Sequence, residues 1–306
     1  MQNSGKPTDD VRPSGEEGMS RAEPQASTGP EPARTATVAV DTGGTFTDLV
    51  IFVDGEVRTL KVPSTPDDPS RAILDGLRQA VGDDCTFTLR HGSTVATNAL
   101  LERRVGRVVL ITNEGFTDVL EIGRQNRPDL YALSGQRATP LVTAEDRWGI
   151  HGRIDADGSE HAPLDRDELQ LLRQRLAATD ADAVAICLLH SYAEPRHEAE
   201  VAAALDTTLP ISQSAQLLPE YREYERTSTT VVNAAVAPVM AHYLKRLGTR
   251  SGAGRVAIMG SNGGMIPIER AMREPAHTVL SGPAGGVVGA LAWARRAGIE
   301  RIATFD

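Results

Sequence analysis

The sequence predicts an α/β fold: a mixed sheet with flanking helices, plus an inserted or second α/β subdomain. Three apolar runs open the folded part at Thr37–Val40, Leu49–Val53 and Gly55–Val62, and short turns join them. Segments with helical spacing then alternate with further apolar runs. This order is expected when helices pack on a sheet that begins as a meander.

Each early element has its own signal. Asp54-Gly55 predicts a tight turn between the second and third strands. Apolar residues recur at helical spacing within Pro69–Val81, and Pro69 suits the first turn of a helix. The next expected elements are a strand at Thr86–Arg90, a helix from Ser93 or Thr94, and a strand at Arg107–Thr112. This succession is typical of the start of a ribonuclease-H-like unit.

The later part of the chain falls into two stretches. Residues 113–180 are polar and turn-rich, and they predict an insertion or a second subdomain. The elements expected from there on are a hairpin at Asp155–Gly158, a helix at Leu164–Ala178, a strand at Ala183–Leu189, a helix at Pro195–Leu205, a strand near Ile211, a helical stretch at Pro219–Leu247, a strand at Arg255–Met259, a strand near Thr278, a helix from Pro283 and a strand at Ile302–Phe305. Pro238 predicts a kink in the long helical stretch or its division into two helices.

Composition sets the domain plan and excludes several functions. We expect a disordered tail at 1–35, a first region at 36–212 and a second at 213–306. The tail is dominated by Pro, Gly, Ser, Glu and Asp, so it cannot bury enough surface to offset its ordering entropy. It lacks the apolar core of a signal peptide, its acidic residues argue against a transit peptide, and Met19 is a competing initiator.

Charge and cysteine content narrow the partners and the compartment. The net charge is −9 and only 4% of the residues are aromatic. The sequence therefore supports neither a basic surface that would bind a phosphate backbone nor aromatic side chains on which bases would stack, and nucleic acid is not an expected partner. No run approaches the roughly 18 apolar residues that cross a bilayer, so no membrane partner is expected either. Cys85 and Cys187 cannot build a disulfide framework, which indicates a reducing cytoplasm.

The octapeptide Asp41–Asp48, D-T-G-G-T-F-T-D, lies between the first two strands. Adjacent Gly43 and Gly44 expose backbone N–H groups and permit conformations closed to other residues, so the turn can approach phosphate oxygens closely. Asp41 would face Mg²⁺ or its waters, since Mg²⁺ prefers one or two carboxylates together with phosphates. The alternative is an ordinary hairpin capped by its own Asp and Thr side chains. The threonine hydroxyls of the octapeptide are those of Thr42, Thr45 and Thr47.

The segment His91–Asn98, H-G-S-T-V-A-T-N, begins at a strand end and opens a helix. Backbone N–H groups there, with Ser93, Thr94 and Asn98, could bind an anion or a carbonyl of a substrate. Simple capping by Ser93 or Thr94 explains the same pattern. His91 is a candidate acid–base group or a structural histidine at a strand end.

Two more glycine loops follow strands. Ser281–Gly286, S-G-P-A-G-G, could hold phosphate or the substrate edge, and its candidate residues are Gly282, Gly285 and Gly286. Close helix packing through small residues is the alternative. Gly260–Gly264 is the third such loop. Three glycine loops on one sheet system suggest a shared cleft at the carboxyl ends of the strands.

The segment Glu121–Arg127, E-I-G-R-Q-N-R, carries two arginines in a turn-prone stretch. Arg124 and Arg127 suit a carboxylate or phosphate of a substrate, and a solvated surface loop is the alternative. A zinc site has no support, because His190 and His197 lack partners at ligand spacing.

Taken in order over residues 37–306, these segments resemble the hydantoinase A/5-oxoprolinase family. The segments that carry the resemblance are 41–48, 91–104, 121–125, 218–234, 260–265 and 281–286. The family is similar to the actin, sugar-kinase and heat-shock chaperone ATPases, whose two ribonuclease-H-like halves clamp ATP between two D-x-G-x-T turns. The resemblance implies ATP and Mg²⁺ as cofactors, a first phosphate turn at Asp41, Gly43, Gly44 and Thr45, and an orienting role for Asp48.

The resemblance also implies ATP-dependent opening of a cyclic amide, such as a hydantoin or 5-oxoproline. Family members continue past a second phosphate turn, whereas this sequence stops at Phe305-Asp306. Asp306 would match Asp41, since each follows an apolar strand. Alone, the chain is therefore expected to bind nucleotide weakly and to turn over little or nothing.

The expected partners are a small cyclic amide and either a B-type subunit or a chain that supplies the missing half. Two alternatives stay open at this stage. One is a subunit of an ATP-dependent ketone carboxylase, which shares these motifs. The other is a fragment that catalyses nothing by itself.

Overall fold

A computed structural model of the protein describes residues 34–65, 67–81, 85–126, 131 and 138–304. Most of the expected tail, residues 1–33, lies outside this range, while Arg34 and Thr35 already belong to the first strand. In chain order the strands are β1 (Arg34–Thr42), β2 (Phe46–Val53), β3 (Glu56–Pro63), β4 (Cys85–Gly92), β5 (Val108–Asn113), β6 (Arg147–Ile150), β7 (Arg153–Ile154), β8 (Glu160–Ala162), β9 (Ala183–Ile186), β10 (Ile211–Gln213), β11 (Arg255–Met259) and β12 (Met265–Pro267).

The helices lie between these strands, and the three shortest of them, α3, α6 and α8, were not predicted from the sequence. They are α1 (Pro69–Ala80), α2 (Val95–Leu101), α3 (Val119–Ile122), α4 (Arg166–Ala177), α5 (Arg196–Leu205), α6 (Ser214–Leu217), α7 (Glu223–Arg250), α8 (Ile268–Arg273) and α9 (Ser281–Arg296). No helix in the described ranges is both long enough and apolar enough to cross a membrane.

The first sheet has six strands in the order β12-β11-β4-β1-β2-β3. Strands β1, β2 and β3 form the expected antiparallel meander, and β4 and β11 add in parallel beyond β1. Asp54 and Gly55 form the predicted tight turn, with φ of 53° and 80°. The mixed sheet with flanking helices is confirmed.

The second sheet has four parallel strands in the order β10-β9-β5-β6. It is inserted between β4 and β11, since β11 and β12 return to the first sheet. The strand predicted at Arg107–Thr112 belongs to this second sheet, so the insertion starts before residue 113. Every residue of β5 is buried, and such an apolar run does not say which sheet it enters.

Helix α7 packs against both sheets. Val236, Met240 and Leu244 join the core of the first sheet, whereas Val231 and Ala234 join a cluster under the second. The predicted division at Pro238 is wrong, because the helix is continuous over 28 residues. Burial on two sides stabilises α7 by more than the roughly 3 kcal/mol that an internal proline costs.

Two elements expected near the end of the sequence are wrong. The strand near Thr278 is a single 3-10 turn at Pro275–Thr278 that begins at the proline. Residues 302–304 have no regular structure, and Phe305 lies outside the described residues. An apolar run becomes a strand only where a neighbouring backbone pairs with it, which periodicity cannot show.

A buried polar network ties the second sheet to α7. Glu198 on α5 is fully buried and accepts hydrogen bonds from Leu188 N (2.9 Å), Ser214 Oγ (2.5 Å) and Ala215 N (2.9 Å). Arg226 on α7 is 1% exposed, and it donates to Ser214 Oγ at 2.9 Å and to the carbonyl of Leu188 at 2.7 Å. The shared partner Ser214 therefore links a buried carboxylate to a buried guanidinium.

Replacing Glu198 tests this network. In Glu198→Ala three donors lose their acceptor and Arg226 loses a nearby opposite charge, so the free energy of unfolding falls by about 3 kcal/mol. Urea unfolding monitored by circular dichroism measures the change. Glu200→Ala, an exposed glutamate on the same helix, is the matched control and costs less than about 0.5 kcal/mol. Equal losses in the two variants would contradict a network role.

Candidate functional site

A row of side chains crosses one face of the first sheet at the end of β1. Asp41 pairs with Asp48 on β2 and with Gly92 on β4, and Asp48 pairs with Lys61 on β3. A β-carbon added at Gly92 would lie 3.8 Å from Asp41 Oδ1, in ordinary contact with the carboxylate. Asp41 is exposed at the place where the meander meets the parallel part of the sheet.

The two aspartates of the turn have different environments. Lys61 forms an ion pair with Asp48 at 2.6 Å, and the Lys61 Nζ lies 5.1 Å from the centre of the Phe46 ring. Directly opposed like charges destabilise a strand pair, and Lys61 offsets that repulsion. The orienting role expected for Asp48 stays a prediction.

In the turn, Gly43 allows a close approach, and neither glycine serves an unusual backbone conformation. Neither Gly43 nor Gly44 has a positive φ, contrary to the expectation from the sequence. A β-carbon at Gly43 would lie 3.3 Å from the carbonyl oxygen of Phe46, whereas one at Gly44 would meet no atom of the described residues within 4 Å. The Gly44 side of the turn is therefore open to a ligand.

Ser64, which follows β3, was not identified from the sequence. Its hydroxyl donates to the carbonyl of Gly43 at 2.7 Å and lies 3.0 Å from Thr47 Oγ1, and its backbone N–H donates to the carbonyl of Thr45 at 2.9 Å. Only the strand register brings Ser64 to the turn, because 21 positions separate it from Gly43. Thr42 Oγ1 is buried and has no hydrogen-bond partner among the described residues.

His91 is fully buried beneath the site. Its Nδ1 lies 3.2 Å from the carbonyl of Val40, so Nδ1 carries the proton and Nε2 accepts a hydrogen bond from the hydroxyl of Tyr243. Burial lowers the pKa of His91 to about 4 and raises the pKa of Tyr243. A neutral histidine with both nitrogens engaged favours the structural alternative.

The start of α2 lies beside the turn. Ser93 is buried and its Oγ accepts from Val95 N at 3.2 Å. The N-cap of α2 is Thr94, whose side chain makes no cap hydrogen bond, so side-chain capping does not account for this segment. Thr94 Oγ1 lies 3.5 Å from the carbonyl of Thr42, and Asn98 Nδ2 lies 3.4 Å from Thr94 Oγ1. Thr94 and the exposed Asn98 remain substrate candidates as predictions only.

The start of α9 docks on the start of α2. Ser281 Oγ donates to the carbonyl of Ser93 at 3.1 Å, and a β-carbon at Gly282 would lie 3.6 Å from Thr94 Cγ2. A β-carbon at Gly285 would touch Met259 at 3.5 Å, while one at Gly286 would meet nothing within 4 Å among the described residues. Close packing of α9 against a neighbouring element therefore does not explain why position 286 is a glycine.

The third glycine loop, Gly260–Gly264, joins β11 to β12 and contacts α9. Gly263 has a φ of 79°, and a β-carbon there would lie 2.7 Å from Val288 Cγ2. Both the backbone conformation and the contact therefore require glycine at this position. The expectation of a glycine loop at Ser281–Gly286 is wrong, because these residues form the first turns of α9 and follow a 3-10 turn instead of a strand. The β1–β2 turn, the Gly260–Gly264 loop and the start of α9 meet at one end of the first sheet, beside α2.

Arg124 lies away from this cluster. It forms an ion pair with Glu225 at the start of α7, whereas Tyr243, the partner of His91, follows 18 residues later on the same helix. At 1.5 Å per residue the two points are about 27 Å apart. This geometry agrees with the surface alternative for Arg124. The candidates Arg127 and Asp306 lie outside the described residues.

Within the described ranges no three His, Cys, Asp or Glu side chains form a group that could hold a metal ion. A cation beside Asp41 would therefore need oxygen ligands from phosphate and water, which is the usual arrangement for Mg²⁺ at nucleotide sites.

Comparison with known proteins gives the same assignment along the whole folded chain. A family model described as hydantoinase/oxoprolinase N-terminal region matches residues 37–209, and one described as hydantoinase/oxoprolinase matches residues 226–306. Caprolactamase subunit alpha of Pseudomonas jessenii is 37% identical over 290 residues, which cover 88% of this chain and 41% of that protein. 5-Oxoprolinase 1 of Arabidopsis thaliana is 34% identical, covering 82% of this chain and 23% of that protein.

Solved structures agree. The crystal structure of the ATP-dependent caprolactamase from Pseudomonas jessenii matches with a TM-score of 0.74 at 35% identity, over 86% of this chain and 41% of that one. Nucleotide-free acetone carboxylase matches with a TM-score of 0.75 at 25% identity, over 87% of this chain and 41% of that one. This chain thus spans less than half the length of these proteins. With both family models matched in order, the chain belongs to the hydantoinase/oxoprolinase family.

Proposed function

We propose that this chain provides the first phosphate-binding half of an enzyme that uses ATP to open a cyclic amide. The observation that carries the proposal is the exposed Asp41 at the end of β1, beside the open face of Gly44 and close to the glycine-rich start of α9. The ATP-dependent caprolactamase, a relative at 37% identity, supports both the cofactor and the class of bond.

The residues at this end of the sheet fit a nucleotide phosphate and its cation. Asp41 would hold Mg²⁺, and the backbone of Gly43, Gly44 and Thr45 would contact phosphate oxygens. Thr47 supports the turn through Ser64, and the orphaned hydroxyl of Thr42 is an additional donor at its start. Gly282, Gly285 and Gly286 lie at the start of α9, whose N-terminal N–H groups favour an anion.

When bound, ATP supplies a phosphoryl group that activates the amide. An unactivated amide carbon is a poor electrophile, and phosphoryl transfer to the amide oxygen lets water attack that carbon, break the C–N bond and release phosphate. The part of this chain is to hold the phosphate and its cation in position and to stabilise charge, with Asp48 orienting water or the cation. Each charge-assisted hydrogen bond to phosphate contributes about 1.5–3 kcal/mol.

The proposed substrate is a small lactam, hydantoin or 5-oxoproline. Ketone carboxylation is the second candidate, and the likeness to acetone carboxylase at a TM-score of 0.75 favours it. Sequence identity is higher for the caprolactamase, at 35% in the structural comparison against 25% for the carboxylase. We therefore place cyclic-amide hydrolysis first.

The chain would be completed by the remainder found in its longer relatives, either in the same polypeptide or in a partner subunit. One face of α9 supports this, since Val287, Val288 and Leu291 are 54%, 46% and 42% exposed at helical spacing. In the completed protein the α9 amides should exchange hydrogen more slowly than in the isolated chain, and equal exchange would argue against this contact.

The unpaired thiols of Cys85 and Cys187 support a cytoplasmic location.

ADP release by the protein from its native source tests the function. The protein is first identified by intact mass, to show whether it exceeds 32.7 kDa or carries a second chain. It should then release ADP when given lactams, hydantoins or 5-oxoproline. In Asp41→Asn the rate should fall about 10- to 100-fold, because the cation loses a charged ligand.

Asp54→Asn is the matched control, since Asp54 lies at the opposite end of the same hairpin and pairs with Arg34. It should leave ADP release unchanged. Release that needs a ketone with bicarbonate would replace amide hydrolysis with the carboxylase function. Release that Asp41→Asn leaves intact would refute the assignment of the turn.

We further propose that His91 supports the turn and transfers no proton. Its pKa is about 4 when folded and about 6.5 when unfolded, so between these values the unfolded chain binds more protons. The free energy of unfolding therefore falls by about 3 kcal/mol as the pH falls from 6.5 to 4. Urea unfolding of the wild type and His91→Gln should diverge by this amount, whereas His242→Gln, at an exposed histidine on α7, should follow the wild type.

A further inference from the structure

Within Asp41–Asp48, the ladder pairs Asp41 with Asp48 and Thr42 with Thr47, and residues 43–45 lie outside the strands. A hydrogen bond from Gly43 N to the carbonyl of Phe46, at 3.0 Å, closes the turn. Two adjacent glycines lose more conformational freedom on ordering than other residues do, and they contribute no side chain to packing. A turn that must present its backbone to a ligand in one shape therefore needs contacts from a neighbouring element.

Ser64 supplies these contacts from the end of β3. It bonds the carbonyl of Gly43 through its hydroxyl, the carbonyl of Thr45 through its backbone N–H, and the hydroxyl of Thr47. Because the Ser64 proton is donated to Gly43, the Thr47 hydroxyl donates to Ser64 Oγ. The Ser64 side chain thus reaches two residues of the turn, and its backbone reaches a third.

The bond to Gly43 has a directional consequence. A peptide unit is planar, and its C=O and N–H point in opposite directions. When Ser64 fixes the carbonyl of Gly43, it also fixes the N–H of Gly44, which points away from Ser64. The Gly44 side is the open side of the turn, where an added β-carbon would meet no described atom within 4 Å.

We infer that Ser64 is a positioning residue that aims the Gly44 N–H at the phosphate. This inference rests on the proposed function, because it takes the turn to bind nucleotide. Ser64 lies at the carbonyl edge of this peptide unit, opposite the N–H edge that would face the ligand. Its hydroxyl acts by holding the turn in its binding shape before the ligand arrives, which lowers the cost of binding.

The test is a titration of the ¹⁵N-labelled 306-residue chain with the magnesium complex of a non-hydrolysable ATP analogue, AMP-PNP, because NMR detects weak binding. Ser64→Ala should raise the dissociation constant measured at the Gly44 amide about fivefold, and hydrogen exchange of the Gly43 amide should accelerate by a similar factor without nucleotide. Ser64→Thr keeps the hydroxyl and should restore both values.

Thr65→Ala is the matched control. The Thr65 hydroxyl donates to the carbonyl of Asp68 and accepts from Ala72 N, so it serves the start of α1 and not the turn. This variant should change neither the dissociation constant nor the exchange of the Gly43 amide. A general loss of stability would change both variants alike.

The outcomes separate the two claims. If the wild type binds and Ser64→Ala binds equally well, the role of Ser64 is refuted while the phosphate turn stands. A binding defect that Ser64→Thr fails to rescue would also refute the role of the hydroxyl. If the nucleotide shifts no resonance of the turn in the wild type, the phosphate turn is refuted in this chain, and the role of Ser64 toward nucleotide falls with it.

Discussion

The central strand β1 is the constraint on which the candidate site depends. It pairs antiparallel with β2 and parallel with β4, and Val38 and Val40 bury their side chains on its inner face. Because both neighbours are fixed by ladders, the end of β1 has one position relative to the rest of the sheet. Asp41 is the second-last residue of β1, so its carboxylate lies where the β1–β2 turn and the loop from β4 to α2 meet.

Helix α7 gives this sheet its connection to the second one. Its face toward the first sheet contains Tyr243, which holds His91 under the turn, and its other end contains Arg226 in the buried network of the second sheet. A helix of 28 residues buried on two sides is a rigid spacer of about 42 Å. It therefore supports the candidate phosphate site and at the same time keeps Arg124 far from it.

The site is built from parts that are distant along the chain and weak alone. Gly44 offers an open backbone, Ser64 fixes its orientation, and the start of α9 brings Gly282 against Thr94. Phosphate recognition of this kind uses many modest hydrogen bonds from oriented backbone groups. The family relatives are more than twice as long as this chain. This agrees with a site whose second half comes from the rest of such a protein.

The sequence by itself determined most of the strands, the six described helices of seven or more residues, the hairpin at Asp54-Gly55 and the family, because these depend on periodicity, turn chemistry and contiguous motifs. Only the tertiary structure decided that β5 joins the second sheet, that α7 continues through Pro238 and that Ser64 supports the turn. Each of these depends on pairing or packing between distant residues. The helix and strand propensities of individual residues do not include contacts between distant parts of the chain. Burial on both sides of α7 outweighs the cost of one proline.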